Sequence, residues 1–279
     1  MTARFTLTPD RPVLLRPDGA VQIGWDPRTA VRVRPPDGMT PTQLTDLLHA
    51  LQTGRSIEQL RSATEQFGDP ALVGDVLAAL DSAGVLVRRS ASPARTATIR
   101  IHGRGPLSEL LAGSLRRSGA RLQHTAESYA TPRPGTDLVV LADELVTEPR
   151  IVRELHRGRI AHLPVRVRDG TGLVGPLVIP GVTSCLHCAD LHRADRDAAW
   201  PALAAQLRGT VGSASRATIL ATAALALRQV ELVIRAVNGT AGPDDPPEPP
   251  ATLGTTLELT ADGYSMSFRR WSRHPDCQC

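Results

Sequence analysis

The four cysteines of this chain constrain its fold more than any other feature of the sequence. They form two close pairs, Cys185-x-x-Cys188 in the middle of the chain and Cys277-x-Cys279 far downstream. A Cys-x-x-Cys turn directs two thiolates to one point, and a second pair completes the tetrahedral set that structural zinc sites use. The sequence therefore predicts structural zinc bound by all four cysteines, which would hold the C-terminal segment against the middle of the fold.

Two other uses of these cysteines stay open at this point, a redox dithiol and a pair of disulfides. A redox Cys-x-x-Cys usually opens a helix after a strand, whereas Thr183 and Ser184 precede this one in a predicted loop. His187 and His274 could replace a thiolate as ligand, but we expect them around the site rather than in it. Residues 1–11 lack the apolar core of a secretory signal. We therefore expect a cytoplasmic protein, in which paired thiols favour metal over disulfides.

Residues 1–90 are predicted to form a small α/β module. Apolar runs at residues 12–16, 21–25 and 30–33 predict three strands, the first two joined as a hairpin. Thr40, Ser56 and Asp69 are predicted to cap three helices. These helices cover residues 41–51, 56–67 and 70–83, and a last strand covers residues 85–87. This order of elements predicts a winged-helix-like module.

The charge of this module argues against DNA binding, the default function of a winged helix. All 32 basic residues of the chain are arginines, and residues 1–90 hold ten arginines and ten acidic residues. A DNA reader needs a cationic face, and the third predicted helix has no arginine. The order of elements and the segment Arg11-Pro-Val-Leu-Leu-Arg16 resemble the PqqD-like precursor-recognition modules. That resemblance implies binding of a leader peptide by strand addition; a structural or dimerising module is the alternative.

Residues 91–95 are predicted to be a linker, and residues 96–279 a second, Rossmann-like domain. A strand at residues 96–102 leads into Gly103-x-Gly105 and a helix, as in dinucleotide-binding folds. The third glycine position holds Ser108. A buried strand ends in Asp143, at the edge where parallel sheets place ligand groups. Gly103, Gly105 and Asp143 are therefore the candidate residues of a degraded nucleotide site.

The rest of this domain is predicted to alternate helices and strands. Helices are predicted at residues 149–157, 198–208 and 217–237, and strands at 163–167, within 170–180, at 253–259 and at 264–271. The apolar run at residues 218–227 is too short to span a bilayer. We expect the long helix that contains it in the core or across a homodimer interface.

These elements together resemble the ThiF-type fold of ubiquitin-activating-like adenylyltransferases. The resemblance rests on Asp143, on Gly-Pro-Leu-Val-x-Pro-Gly-x-x-x-Cys-x-x-Cys ending at Cys188, on the long helix and on the second cysteine pair. Residues 271–279 are more similar still to the ThiF-like subunits of azole-forming cyclodehydratases. The resemblance implies a four-cysteine structural zinc site, a leader-peptide-binding module and a YcaO-type ATP-dependent cyclase as partner.

The sequence also departs from active members of that family. By the resemblance, they bind ATP through a Gly-rich turn, an arginine and lysine set, and an aspartate that holds magnesium. Here the chain has no lysine, and only thirteen residues separate Gln123 from Asp137. We therefore expect no catalytic residues and no ATP, and a scaffold without nucleic-acid or membrane contacts. An active ATP-dependent adenylyltransferase and a winged-helix DNA-binding regulator are the alternatives.

Overall fold

The computed structural model describes residues 4–7, 10–53, 56–62, 69–89, 95–127, 135–239, 248–260 and 262–279. Residues 63–67 of the second predicted helix and residues 91–94 of the predicted linker lie outside these ranges. The chain divides into two units, Met1–Ala94 with Gly239–Pro246 and Arg95–Asn238 with Pro247–Cys279.

The first unit contains two small antiparallel sheets. The three predicted strands are present as β2 (Val13–Leu15), β3 (Val21–Ile23) and β4 (Val31–Val33), and β3 lies between the other two. A second ribbon joins β1 (Arg4–Leu7) to β5 (Leu86–Arg89). The sequence analysis predicted β5 but missed β1, because only its distant partner makes this short segment a strand.

Three helices complete the described part of the first unit, namely α1 (Pro41–Gln52), α2 (Ile57–Arg61) and α3 (Pro70–Ser82). Their predicted caps are confirmed. The Thr40 and Ser56 side chains each accept a hydrogen bond from the backbone three residues on, and the Asp69 carboxylate accepts one from the Ala71 N–H at 2.8 Å. The leucines and valines of α1 and α3 pack on Val21 and Ile23 of β3 to form the core of this unit.

The second unit is built on a seven-stranded mixed sheet, which confirms the predicted α/β class. Its strand order is β12-β11-β10-β9-β8-β6-β7. Four strands are parallel, namely β6 (Thr98–His102), β7 (Arg121–Thr125), β8 (Leu138–Ala142) and β9 (Ala161–Arg168). Three continue antiparallel, namely β10 (Thr171–Val174), β11 (Thr255–Thr260) and β12 (Ser265–Arg270).

Helices cover both faces of this sheet. They are α4 (Pro106–Leu115), α5 (Pro149–Arg157), α6 (Leu186–Ala194), α7 (Trp200–Gln206) and α8 (Arg216–Asn238). Successive side chains of a strand point to opposite faces, and β8 shows this. Leu138 and Val140 belong to the core under α4 and α8, whereas Val139 and Leu141 belong to the core that includes α5 and the start of α6.

Helix α8 is, among the described residues, the one helix long and apolar enough to cross a membrane by length and composition. Its side chains Ala223, Ala226, Val230 and Ile234 lie in the core on the sheet. Helix α8 is therefore a core helix of the second unit, one of its two predicted placements. The cytoplasmic location stays a prediction.

Candidate metal centre

All four cysteine side chains meet at one point of the second unit. Cys185 and Cys188 lie at the start of α6 and are buried, whereas Cys277 and Cys279 lie in the segment after β12 and are half-buried. The loop predicted at Thr183 and Ser184 is present, but the sequence analysis missed the helix that follows it. Cys185 caps α6, and its Sγ accepts a hydrogen bond from the Cys188 N–H at 3.4 Å. The N–H groups and dipole of a helix start favour thiolates.

The sulfur positions form an open cluster with room for an ion. Sγ–Sγ distances are 3.7 Å for Cys185–Cys188, 3.6 Å for Cys185–Cys277 and 3.5 Å for Cys188–Cys279, and all four atoms lie within 4.8 Å of one another. A disulfide requires about 2.05 Å, so all four cysteines are free. A metal at about 2.3 Å from four sulfurs gives sulfur–sulfur edges of about 3.8 Å. The cluster can therefore hold a metal ion and is compatible with zinc.

The thiols also need a cation to become thiolates together. Burial raises the pKa of the Cys185 and Cys277 thiols. Burial acts on Cys188 in the same direction, but hydrogen bonds to its sulfur from the backbone of His274 and of Cys185 and from the thiols of Cys279 and Cys277 together outweigh burial and lower the pKa to about 7. A divalent ion at the centre would offset both the burial and the mutual repulsion of the thiolates.

Hydrogen bonds outside the cluster hold the C-terminal segment in place. The Ser184 hydroxyl donates to the Trp271 carbonyl at 3.0 Å, and the Arg273 guanidinium donates to the Gly181 carbonyl at 2.7 Å. These bonds dock the segment after β12 on the loop before α6. They position Cys277 and Cys279 independently of any metal.

His274 supports the second cysteine pair. The Asp276 N–H donates to His274 Nδ1 at 3.1 Å, so the proton is on Nε2, which donates to Asp195 at 2.9 Å. The backbone carbonyl of His274 accepts from the Cys277 N–H at 3.0 Å. Both ring nitrogens are thus occupied, and His274 lies beside the site as expected. His187 is exposed.

The sequence analysis missed two residues that lie near His274 beside the cysteine cluster. His192 and Asp195 lie three residues apart near the end of α6, and their ligand atoms lie within 4.8 Å of each other and of His274. His192 Nε2 is also 3.2 Å from the carbonyl of Ser272. Their spacing of about one helical turn would have been a signal, but the sequence analysis assigned no helix to this segment.

The predicted nucleotide residues come together in a second place, at the turn between β6 and α4. Asp143 lies just after β8, is buried and has a φ of 73°. Its two carboxylate oxygens accept hydrogen bonds from the Leu107 N–H at 2.8 Å and the Ser108 N–H at 3.1 Å. These groups belong to the α4 N-terminus, where a dinucleotide fold binds phosphate. An internal carboxylate already occupies that position.

The two glycines of the turn are needed for this close packing. A Cβ on Gly105 would lie 2.8 Å from the Asp143 carboxylate, and one on Gly103 would lie 2.4 Å from the Ala142 carbonyl oxygen. Ser108 bonds back to Gly105, with its hydroxyl donating to the Gly105 carbonyl at 2.9 Å. The packing of the turn on β8 therefore accounts for both glycines without a nucleotide. Residues 128–134 of the short connection lie outside the described residues.

Comparisons with known proteins find several solved structures with a similar fold. No protein-family model matches the chain, and no curated protein matches its sequence. A heterocyclase solved in complex with substrate and cofactor shares 17% identity at a TM-score of 0.68, covering 99% of this chain and 39% of that one. The heterocyclase TruD shares 17% identity at 0.66, covering 99% and 42%. E. coli MccB, solved with ATP, shares 12% identity at 0.56, covering 99% of each chain.

At these identities the likeness establishes the fold alone. The chain spans about two fifths of the two heterocyclases that it matches. Both units of this chain are included in the match, since 99% of its residues are covered.

Proposed function

We propose that this chain is a non-catalytic, ThiF-like, zinc-binding scaffold that recognises a precursor leader peptide. It presents that peptide to a YcaO-type cyclase in the biosynthesis of azoline- or azole-containing peptides. The observation that carries the proposal is the match of 99% of the chain to part of a heterocyclase solved with its substrate. The match covers 39% of that heterocyclase, and we assign the cyclisation chemistry to the partner.

The peptide is proposed to bind to β4 in the first unit, which serves as a PqqD-like, winged-helix-like module. Strand β4 (Val31–Val33) pairs with β3 along one edge, and none of the described residues hydrogen-bonds to its other edge. An extended peptide would add there as a fourth strand. A single edge pairing of this kind supports micromolar affinity, about −8 kcal/mol.

The metal is proposed to be one structural zinc per chain. Four thiols with near-tetrahedral spacing, joined by no oxygen ligand from the described part of the chain, suit zinc better than magnesium or calcium. Elemental analysis of protein purified without added metal tests this point. A zinc-to-chain ratio near one is the expected result, and a ratio near zero would contradict it.

The absence of adenylyltransferase activity is proposed from the glycine turn. The Asp143 carboxylate accepts two N–H groups of α4, and the chain has no lysine to stabilise a developing phosphate charge. ATP–pyrophosphate exchange should stay at background when the cognate peptide is present. Robust exchange that Asp143→Asn abolishes would mean that the chain is an active enzyme.

The test of the main proposal is selection from a displayed peptide library on the full chain. We expect peptides whose binding changes little between low and moderate salt, since strand addition relies on main-chain hydrogen bonds. Amide hydrogen exchange should slow at β4 when peptide is added. It should not change at β12, an edge strand of the seven-stranded sheet, which serves as the internal control. If no peptide is selected and the chain instead binds duplex DNA with an affinity that falls steeply as salt increases, the alternative of a winged-helix DNA-binding regulator is favoured.

A further inference from the structure

An arginine-lined cavity lies in the second unit, between β9 and helices α6 and α7. Its volume is about 240 Å³, below the range of drug-sized ligand sites and close to the size of one residue. Arg166 and Arg168 of β9 and Arg193 of α6 line it, and much of the remaining wall is apolar, including Leu145, Val152, Leu186, Trp200 and Leu207.

Two of the three arginines have a carboxylate partner. Arg193 pairs with Asp190 at 2.8 Å, and its guanidinium carbon lies 5.2 Å from the ring centre of Trp200. Arg168 lies 3.8 Å from the carboxylate of Asp169. These two positive charges are therefore balanced locally.

Arg166 is the exception. Its Nη1 donates to the Leu145 carbonyl at 2.8 Å, and it takes part in no ion pair with any described residue. Burial lowers the pKa of Arg166 to about 10; the charge of Arg193 acts in the same direction, and the charge of Asp190, which pairs with Arg193, acts in the opposite one. A half-buried guanidinium that pairs with none of the described carboxylates is left with an uncompensated desolvation cost. An anion in the cavity would remove that cost.

We propose that this cavity binds a carboxylate carried by a compact, partly apolar ligand, with Arg166 as its counter-ion. One unbalanced positive charge matches a singly charged carboxylate better than a doubly charged phosphate. A planar guanidinium also engages a carboxylate through two parallel hydrogen bonds. The carboxylate comes either from a free organic acid or from an acidic side chain of a peptide. The site is distinct from the peptide edge at β4, because only residues of the second unit line it.

The test is a tryptophan-fluorescence titration of the full chain with sodium propionate at constant ionic strength, since Trp200 lies in the wall. We expect a saturable change with half-saturation in the millimolar range, as befits a ligand of few atoms. Arg166→Gln should weaken binding at least tenfold. Arg153→Gln, which alters an exposed arginine of α5, should leave it unchanged. Asp190→Asn should tighten binding, because it removes the negative charge nearest to Arg193, and loss of folding cannot produce that result.

Further titrations separate the two sources. If acetyl-Ala-Glu-Ala-amide binds more tightly than propionate and acetyl-Ala-Gln-Ala-amide does not bind, the ligand is an acidic side chain of a peptide. If only propionate saturates the site, the ligand is a free organic acid. Either result supports the site. Saturation by sodium phosphate alone overturns the carboxylate assignment. A wild-type response that does not saturate, or equal half-saturation in Arg166→Gln, overturns the site itself. Loss of leader-peptide binding leaves all of these results unchanged, so the two proposals fail separately.

Discussion

The cysteine cluster and the glycine turn lie in the same unit and differ in how their charges are balanced. At the turn, the carboxylate of Asp143 accepts hydrogen bonds from the Leu107 and Ser108 N–H groups. The two glycines lack a Cβ and so let the turn pack directly on Ala142 and Asp143. In the cluster, Cys185, Cys188 and their two partners face one another around a centre that can hold a metal ion. Residue type alone therefore does not make a ligand site. A ligand site needs binding groups that the fold has not already paired with a partner inside the protein.

The largest expected effect is on the cluster. Cys188→Ser should abolish stoichiometric metal and lower the melting temperature by about 10 °C or more, because the binding free energy of a structural metal is folding free energy. Elemental analysis and thermal melts measure the two effects. Wild-type protein stripped by a chelator is the control and should match the variant until metal is restored. Unchanged metal content and melting temperature would place the ion elsewhere.

The second effect tests how tightly the turn is closed. Gly105→Ala should destabilise the protein by about 2 to 3 kcal/mol, because the new Cβ would lie 2.8 Å from the Asp143 carboxylate. Gly113→Ala in α4 is the matched control. Nothing lies within 4 Å of its Cβ position, so it should stabilise by up to about 1 kcal/mol. Urea unfolding measures both, and equal effects would mean that the turn is open.

The third effect concerns the charge of Asp143. Asp143→Asn keeps the shape of the side chain but removes the negative charge at the α4 N-terminus, so we expect a loss of about 1 to 2 kcal/mol. The exposed Asp262→Asn should change stability by less than about 0.5 kcal/mol. Urea unfolding without nucleotide makes the comparison. If Asp143→Asn leaves the free energy of unfolding unchanged, the Asp143 carboxylate has a role other than capping α4.

The smallest effect is expected around the cluster. Asp195→Asn should weaken metal affinity about tenfold, because Asp195 orients His274 and thereby the turn that carries Cys277. Competition with a chromophoric chelator gives the affinity, again with Asp262→Asn as the control. An unchanged affinity would show that the backbone alone positions the second pair.

Much of the fold could be predicted from local patterns. The caps at Thr40, Ser56 and Asp69 and the bounds of α5 follow from residues within one helical turn. Helix α6 was missed, because its N-terminus is capped by the sulfur of Cys185, which gives no usual capping signal. Strand β1 was missed because it exists through pairing with β5, far along the chain.

The sequence by itself determined that the cysteines form two close pairs, because the spacing within each pair limits how far its sulfurs can separate. The tertiary structure decided that the two pairs meet at one point. Only the tertiary structure decided what surrounds them and what the other candidate residues do. The Asp143 carboxylate accepts hydrogen bonds from N–H groups of α4, His274 bonds to Asp195, and Arg166 pairs with no carboxylate among the described residues. Each of these outcomes depends on side chains brought together from distant elements, and no local pattern encodes which partner a buried charge will find.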